Sequence, residues 1–100
     1  MRKVVQFSEN QRVYSSQDGE MYRVPIGGKY EVSIISTAYS YGGKMGLYEI
    51  ALIKVGKLVK LRGRVEGFQD DDVLGYLTED DVRKYTEILR EFVGTGRQPK

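Results

Sequence analysis

Tyr30-Glu31-Val32-Ser33-Ile34-Ile35 and, beyond Gly42-Gly43-Lys44, Leu47-Tyr48-Glu49-Ile50-Ala51-Leu52-Ile53-Lys54-Val55 decide the fold. In the first stretch Tyr30, Val32 and Ile34 alternate with Glu31 and Ser33, the period of two expected of a strand with one buried face. The second stretch repeats it, with Tyr48, Ile50 and Leu52 on one side and Leu47, Glu49, Ala51 and Ile53 on the other. Strands over about residues 29 to 40 and 47 to 55, joined by the glycine turn, make a hairpin. Gly56-Lys57 is a tight-turn dipeptide, and Lys57 to Val65, with Leu58, Val59 and Leu61, reads as the third strand of a meander. Gly27-Gly28-Lys29-Tyr30-Glu31 echoes Gly42-Gly43-Lys44 and Tyr48-Glu49; two turn-plus-strand units explain the echo without a repeat fold.

Downstream, Gly67 to Asp72 reads as a loop and Val73 to Leu77 as a short strand. Thr78 with Asp81 three residues later has the spacing of a capping box, and Glu79, Asp80 and Asp81 fill a first helical turn, where the macrodipole favours anions. Val82, Tyr85, Ile88, Leu89, Phe92 and Val93 then recur at helical spacing, Gly94 is a helix stop, and Arg97 to Lys100 is a frayed tail. Upstream, Arg2 to Phe7 reads as a strand through Val4 and Val5, Asp18-Gly19 as a turn, and Glu20 to Pro25 as the returning strand, with Pro25 marking an edge or a strand end. The expectation is an α+β protein, an antiparallel sheet of four or five strands in hairpins and a meander packed against one C-terminal helix. One domain over 1–100 divides into an N-terminal strand and loops (1–28), the β-meander (29–65), the strand and C-terminal helix (73–94) and a flexible tail (95–100).

Composition narrows the chemistry. With 100 residues, 40% of them hydrophobic, and no Cys, His or Trp, the chain has no disulfide, no thiolate or imidazole metal ligand, no Cys nucleophile and no His base. Glu31 and Glu49 on neighbouring strands are the remaining acid–base candidates, but Glu and Lys across a sheet are ordinarily solvated, and no catalytic residues, cofactor or metal are expected. Gly42-Gly43-Lys44 fails as a phosphate loop, because Ala38 stands where the first Gly belongs and Met45 where Ser or Thr belongs. Asp70, Asp71, Asp72, Gly75 and Asp81 fail as a calcium loop, because Leu74 occupies a ligand position and no helix precedes them. The N-terminus turns polar too soon for a signal peptide and no apolar run approaches the ~20 residues of a membrane span. A cytoplasmic protein is expected.

The net charge of +2 hides a division. Residues 1–64 hold eleven Lys and Arg against five Asp and Glu, residues 65–91 three against nine, and the last nine residues add two positive charges. The acidic block includes Asp70, Asp71 and Asp72 before the short strand and Glu79, Asp80 and Asp81 after it; brought to one rim, they would suit a basic surface on a partner protein. Eight tyrosines are the other anomaly. Tyr39 and Tyr41 precede the glycine turn, and with Lys44 beside them they form a candidate contact for a protein or for nucleic-acid bases; burial of the rings in the sheet is the competing reading.

Ser40-Tyr41-Gly42-Gly43-Lys44-Met45-Gly46-Leu47-Tyr48-Glu49-Ile50-Ala51, followed by Asp72-Val73-Leu74-Gly75-Tyr76-Leu77-Thr78, resembles a pattern in small accessory proteins of phages of Gram-positive bacteria. The resemblance covers roughly residues 29 to 93 and leaves the first 28 outside it. It implies a protein of the host cytoplasm, made during infection or lysogeny and sized to bind and redirect a host or defence protein, as anti-CRISPR proteins do. The functional expectation is therefore a non-enzymatic inhibitor whose acidic rim, Asp70 to Asp72 with Glu79 to Asp81, occupies a nucleic-acid-binding surface on its target, with Tyr39, Tyr41 and Lys44 as further contacts. The alternatives are a small nucleic-acid-binding accessory protein using Arg2, Lys3, Lys44, Lys57, Lys60, Arg62 and Arg64 with the two tyrosines, and a structural or assembly component recognised by self-association. No membrane partner is expected.

Overall fold

A computed structural model of the chain describes residues 4–16 and 19–94. Six strands and one helix follow in order: β1 (Arg12–Ser16), β2 (Gly19–Gly27), β3 (Tyr30–Thr37), β4 (Tyr48–Lys54), β5 (Lys57–Leu58), β6 (Val73–Leu77) and α1 (Glu79–Gly94), with a 3-10 turn at Gly43–Met45 between β3 and β4. The strands form one antiparallel sheet in the order β1-β2-β3-β4-β5, and β6 pairs β4 on the same side as β5. The fold is α+β, with the helix on one face of the sheet. Among the described residues no helix is long and apolar enough to cross a membrane.

Alternation sets the layers. Tyr22, Val24 and Ile26 of β2, Val32 and Ile34 of β3 and Tyr48, Ile50 and Leu52 of β4 are all buried on the helix side. They form one core with Val82 and Leu89 of α1, against which Tyr85, Ile88, Phe92 and Val93 also pack. The helix begins as its sequence prescribes. Thr78 N–H donates to Asp81 Oδ2 and Asp81 N–H to Thr78 Oγ1, both at 3.1 Å, so two of the orphan donors of the first turn are satisfied reciprocally. The other sheet face, with Met21, Ile35 and Ile53 half-buried and the Arg23–Glu31 ion pair at 2.6 Å, has no helix over it. Pro25 is accommodated inside β2 because β1 stops at Arg12↔Arg23, before the proline would have to donate to it.

Two expected strands differ. The Arg2 to Phe7 strand does not form over residues 4–7; Arg2 and Lys3 lie outside the described residues. Phe7 is instead a core plug, its ring edge-on to Tyr22 at 5.0 Å and to Tyr48 at 5.2 Å. The Gln11 side chain takes the place of a ladder neighbour: its Oε1 accepts from Phe7 N–H at 2.8 Å and its Nε2 donates to Val5 O at 2.8 Å. The third meander strand stops at Leu58. Beyond it the apolar residues are spaced by four and three rather than two, and Leu61, Val65 and Phe68 all bury on the helix side through successive turns.

Candidate interaction surface

The loop from β3 to β4 is built from short hydrogen bonds. The Ser40 hydroxyl accepts from Thr37 N–H at 2.8 Å and donates to Thr37 O at 3.1 Å, while Thr37 Oγ1 accepts from Tyr39 N–H at 3.1 Å. Gly42, at φ 86°, then supplies the carbonyl for both Met45 N–H and Leu47 N–H. The loop is thus a fixed platform on which Tyr39 stands 86% exposed.

β6 meets this platform at a bulge. Tyr48 pairs with Leu77 and Ile50 with Leu74, so Gly75 and Tyr76 together oppose the single residue Glu49. Tyr76 takes a left-handed conformation, φ 59°, that is uncommon and strained for an aromatic residue. Its N–H donates to Tyr41 O at 3.2 Å, and Tyr41 N–H donates to Glu49 Oε1 at 2.8 Å. The two segments pack closely: a Cβ on Gly75 would overlap that of Tyr41, and one on Gly42 would lie 2.9 Å from Tyr76 Cα, 3.0 Å from Leu47 Cβ and 3.1 Å from Tyr76 Cδ1. Each tyrosine covers the glycine beside the other. Tyr41 remains 52% exposed, Tyr76 59% and Met45 71%, giving with Tyr39 an aromatic and thioether surface bordered by the exposed Lys44.

Lys44 also lines a cleft of about 310 Å³ with Glu20, Ser36, Thr37, Gly43 and Gly46. The Tyr22 hydroxyl donates to Glu20 Oε1 at 2.5 Å and the Tyr48 hydroxyl lies 3.5 Å from the same oxygen. Burial, together with the Glu20 charge, pushes both phenols above their usual range, so both stay protonated at neutral pH.

The two acidic clusters flank β6, Asp70 to Asp72 before it and Glu79 to Asp81 after it at the start of α1. Several are engaged locally. Asp72 Oδ1 accepts from Leu61 N–H at 2.8 Å and Arg62 N–H at 2.9 Å, so it caps the turn that carries Leu61 into the core. Those bonds, Arg62 N–H first, hold its carboxyl below the ordinary range, with Lys60 and Arg62 adding positive charge nearby. Asp71 Oδ1 accepts from Asp72 N–H at 2.7 Å, Asp81 is the helix cap, and Arg83 pairs with Asp80 at 3.0 Å and Glu79 at 3.7 Å. Asp70 is exposed.

The basic candidates are dispersed. Lys57 pairs with Lys54 at the far end of β4 from Tyr48, Lys60 and Arg62 flank Asp72, Lys44 lies in the same loop as Tyr39 and Tyr41, and Arg2 and Lys3 lie outside the described residues. Glu31 and Glu49 do not converge either: they oppose Ile53 and Ile35, four residues apart along the β3–β4 pair, and each already has a partner. Among the described residues no group of three or more His, Cys, Asp and Glu is arranged to hold a metal. Tyr76 and Met45 were not legible as surface residues; Gly75-Tyr76 reads as plain strand, and only the adjacency of a glycine to an aromatic hints at a bulge.

What fold and surface define, among the described residues, is an α+β protein with one helix on an antiparallel sheet and an exposed aromatic corner. Compared with known proteins, the chain matches no family model, no curated protein and no solved structure.

Proposed function

We infer that this is a non-enzymatic binding protein that engages a partner protein through Tyr39, Tyr41, Tyr76 and Met45, with Lys44 at the margin. The observation that carries the reading is the exposure of three tyrosines and a methionine on a backbone locked by a bulge, a strained residue and two buried-contact glycines. Tyrosine and methionine are enriched at the centres of protein interfaces, and a pre-organised loop lowers the entropic cost of association. The phage-type role, binding and inhibiting or redirecting a host or defence protein as an anti-CRISPR protein would, is the biological setting proposed for this contact. Asp70, Asp71, Glu79 and Asp80 add a negative field that steers a basic partner rather than forming the contact itself. The nucleic-acid alternative has less support, because stacking platforms need a cationic groove beside the rings, and among the described residues Lys57 stands at the far end of β4 and Lys60 and Arg62 beside Asp72.

Affinity capture from a nuclease-treated Gram-positive lysate is the test. A protein retained by the wild type and lost with the Tyr39→Ala, Met45→Ala double variant supports the reading. Retention by that variant, with loss on Asp70→Lys, Asp71→Lys, returns the contact to the acidic residues. Salt-sensitive binding of the purified protein to DNA or RNA, abolished by Lys57→Glu and Lys60→Glu, replaces it with the nucleic-acid reading.

A further inference from the structure

We propose that the outer edge of β1 pairs with β1 of a second copy of this chain, antiparallel and centred on Tyr14. β1 ends the strand order: its inner side is laddered to β2 from Arg12↔Arg23 to Ser16↔Gly19, and no described element pairs with its outer side. An open edge presents unpaired N–H and C=O groups and templates another strand unless it is short, charged with Lys, interrupted by Pro, bulged or covered. The opposite side of the sheet has such devices. β5 is two residues long and contains Lys57, and β6 is bulged at Gly75-Tyr76 and overlain by the Tyr41 turn. β1 has neither Pro nor Lys nor a shift of register, and it exposes Val13 by 44% and Tyr14 by 45%. Those two side chains point to opposite faces, Tyr14 beside Met21 and Val13 beside Tyr22, so a strand added at this edge covers both.

The opposed Tyr14 pair favours a second copy, and charge sets its direction. Arg12 is the single charged residue of β1. Parallel self-pairing in register would set the two Arg12 residues about 5 Å apart, the usual strand spacing. Full-length antiparallel pairing puts Tyr14 opposite Tyr14 of the second copy and separates the two arginines by four residues, about 13 Å along the strand. That exceeds a Debye length of about 8 to 10 Å near physiological salt, so their repulsion is screened, while the opposed tyrosines form a favourable cross-strand pair. The strand complements itself without a second charge. This inference is independent of the tyrosine surface at Tyr41 and Tyr76.

Because the chain contains no cysteine, one introduced residue reports contact without background. Under mild oxidation Tyr14→Cys should form an intermolecular disulfide far faster than Tyr39→Cys, whose higher exposure sets the rate of random collision, since opposed strands bring Cα atoms within bridging range. Arg12→Cys should stay slow. Equal rates at 12 and 14 overturn the antiparallel register, and a rate at 14 no greater than at 39 overturns the pairing. The unmodified chain supplies a second readout: the alternate amides of β1 that point away from β2 should lose hydrogen-exchange protection on dilution, whereas the β1 amides laddered to β2 and the β3 amides should not. Protection independent of concentration, or gained only when a foreign protein is added, overturns self-pairing, and the latter outcome gives the edge to that protein.

Discussion

Tyr41 and Tyr76 are joined backbone to backbone, Tyr76 N–H to Tyr41 O at 3.2 Å, while each packs on the glycine that adjoins the other. Gly75 and Gly42 are therefore fixed by opposite neighbours. Adding a methyl group at either position drives a tyrosine away, and at Gly42 it also forces a left-handed alanine. Gly75→Ala and Gly42→Ala should each lower stability by about 1 to 3 kcal/mol in urea titration, the range of overpacking. Tyr76→Gly should behave in the opposite sense, relieving a left-handed side chain worth about 1 to 2 kcal/mol while removing ring contact, so its stability should change little and its partner binding should fall. Unchanged stability in both alanine variants would show that the two tyrosines are not held by their glycines.

The core makes a simpler claim. Leu89 is fully buried against the sheet and Phe92 packs against the same cluster. Truncating Leu89 to Ala should cost roughly 2 to 5 kcal/mol, with Phe92→Ala in the lower part of that range because its ring is only partly covered. Losses below ~0.5 kcal/mol at both, the scale of an ordinary surface change, would reject the helix face.

Thr86 offers a gain. Its hydroxyl is buried in the middle of α1 and, among the described residues, Oγ1 has no hydrogen-bond partner. Thr86→Val keeps the shape and removes the orphaned group, and should raise stability by about 1 kcal/mol, the lower end of an unsatisfied-group penalty. A lower melting temperature in this variant would mean that the hydroxyl is bonded in solution.

Titration should distinguish the two ends of the pH scale. Asp72 and Asp81 have lowered pKa values, from Arg62 N–H and Thr78 N–H respectively, so their contribution is present above the ordinary carboxylate pKa near 3.8 and is lost as pH falls below it. Tyr22 and Tyr48 have raised values through burial, so theirs is intact below pH 10.0 and is lost as pH climbs beyond. Asp72→Asn, Asp81→Asn should flatten the acid limb of stability against pH without moving the alkaline limb, while Tyr48→Phe should move only the alkaline limb. An acid limb unchanged in the double variant would place the sensitive carboxylates elsewhere.

The parts of this molecule that were legible are those in which a local pattern and the final contacts agree. Val32, Ile34, Ile50 and Leu52 alternate because they lie in paired strands, and Thr78 and Asp81 carry their own capping geometry in their spacing. Where a distant residue completes the local structure, the pattern misleads. Val4 and Val5 have β-branched side chains, yet Gln11 captures the adjacent backbone before a strand can. The acidic run carries charge in its sequence but not its partner: Asp72 is bound by backbone eleven and ten residues upstream. Tyr39 and Tyr41 were legible as a candidate tip with burial in the sheet left open, whereas Tyr76 reaches Tyr41 through a bulge opposite Glu49.

The seat of Phe7 imposes an order on biosynthesis. Its ring rests on Tyr22 and Tyr48, Arg83 lies 5.6 Å above it, and the Arg83 guanidinium donates at 3.0 Å to the Gln6 carbonyl, 77 residues away. The segment around Phe7, made before its partner, can therefore reach its final place only after the beginning of α1 has emerged. Until then the segment around Phe7 is exposed to chaperones and proteases, and closure of this long loop belongs among the late steps of folding.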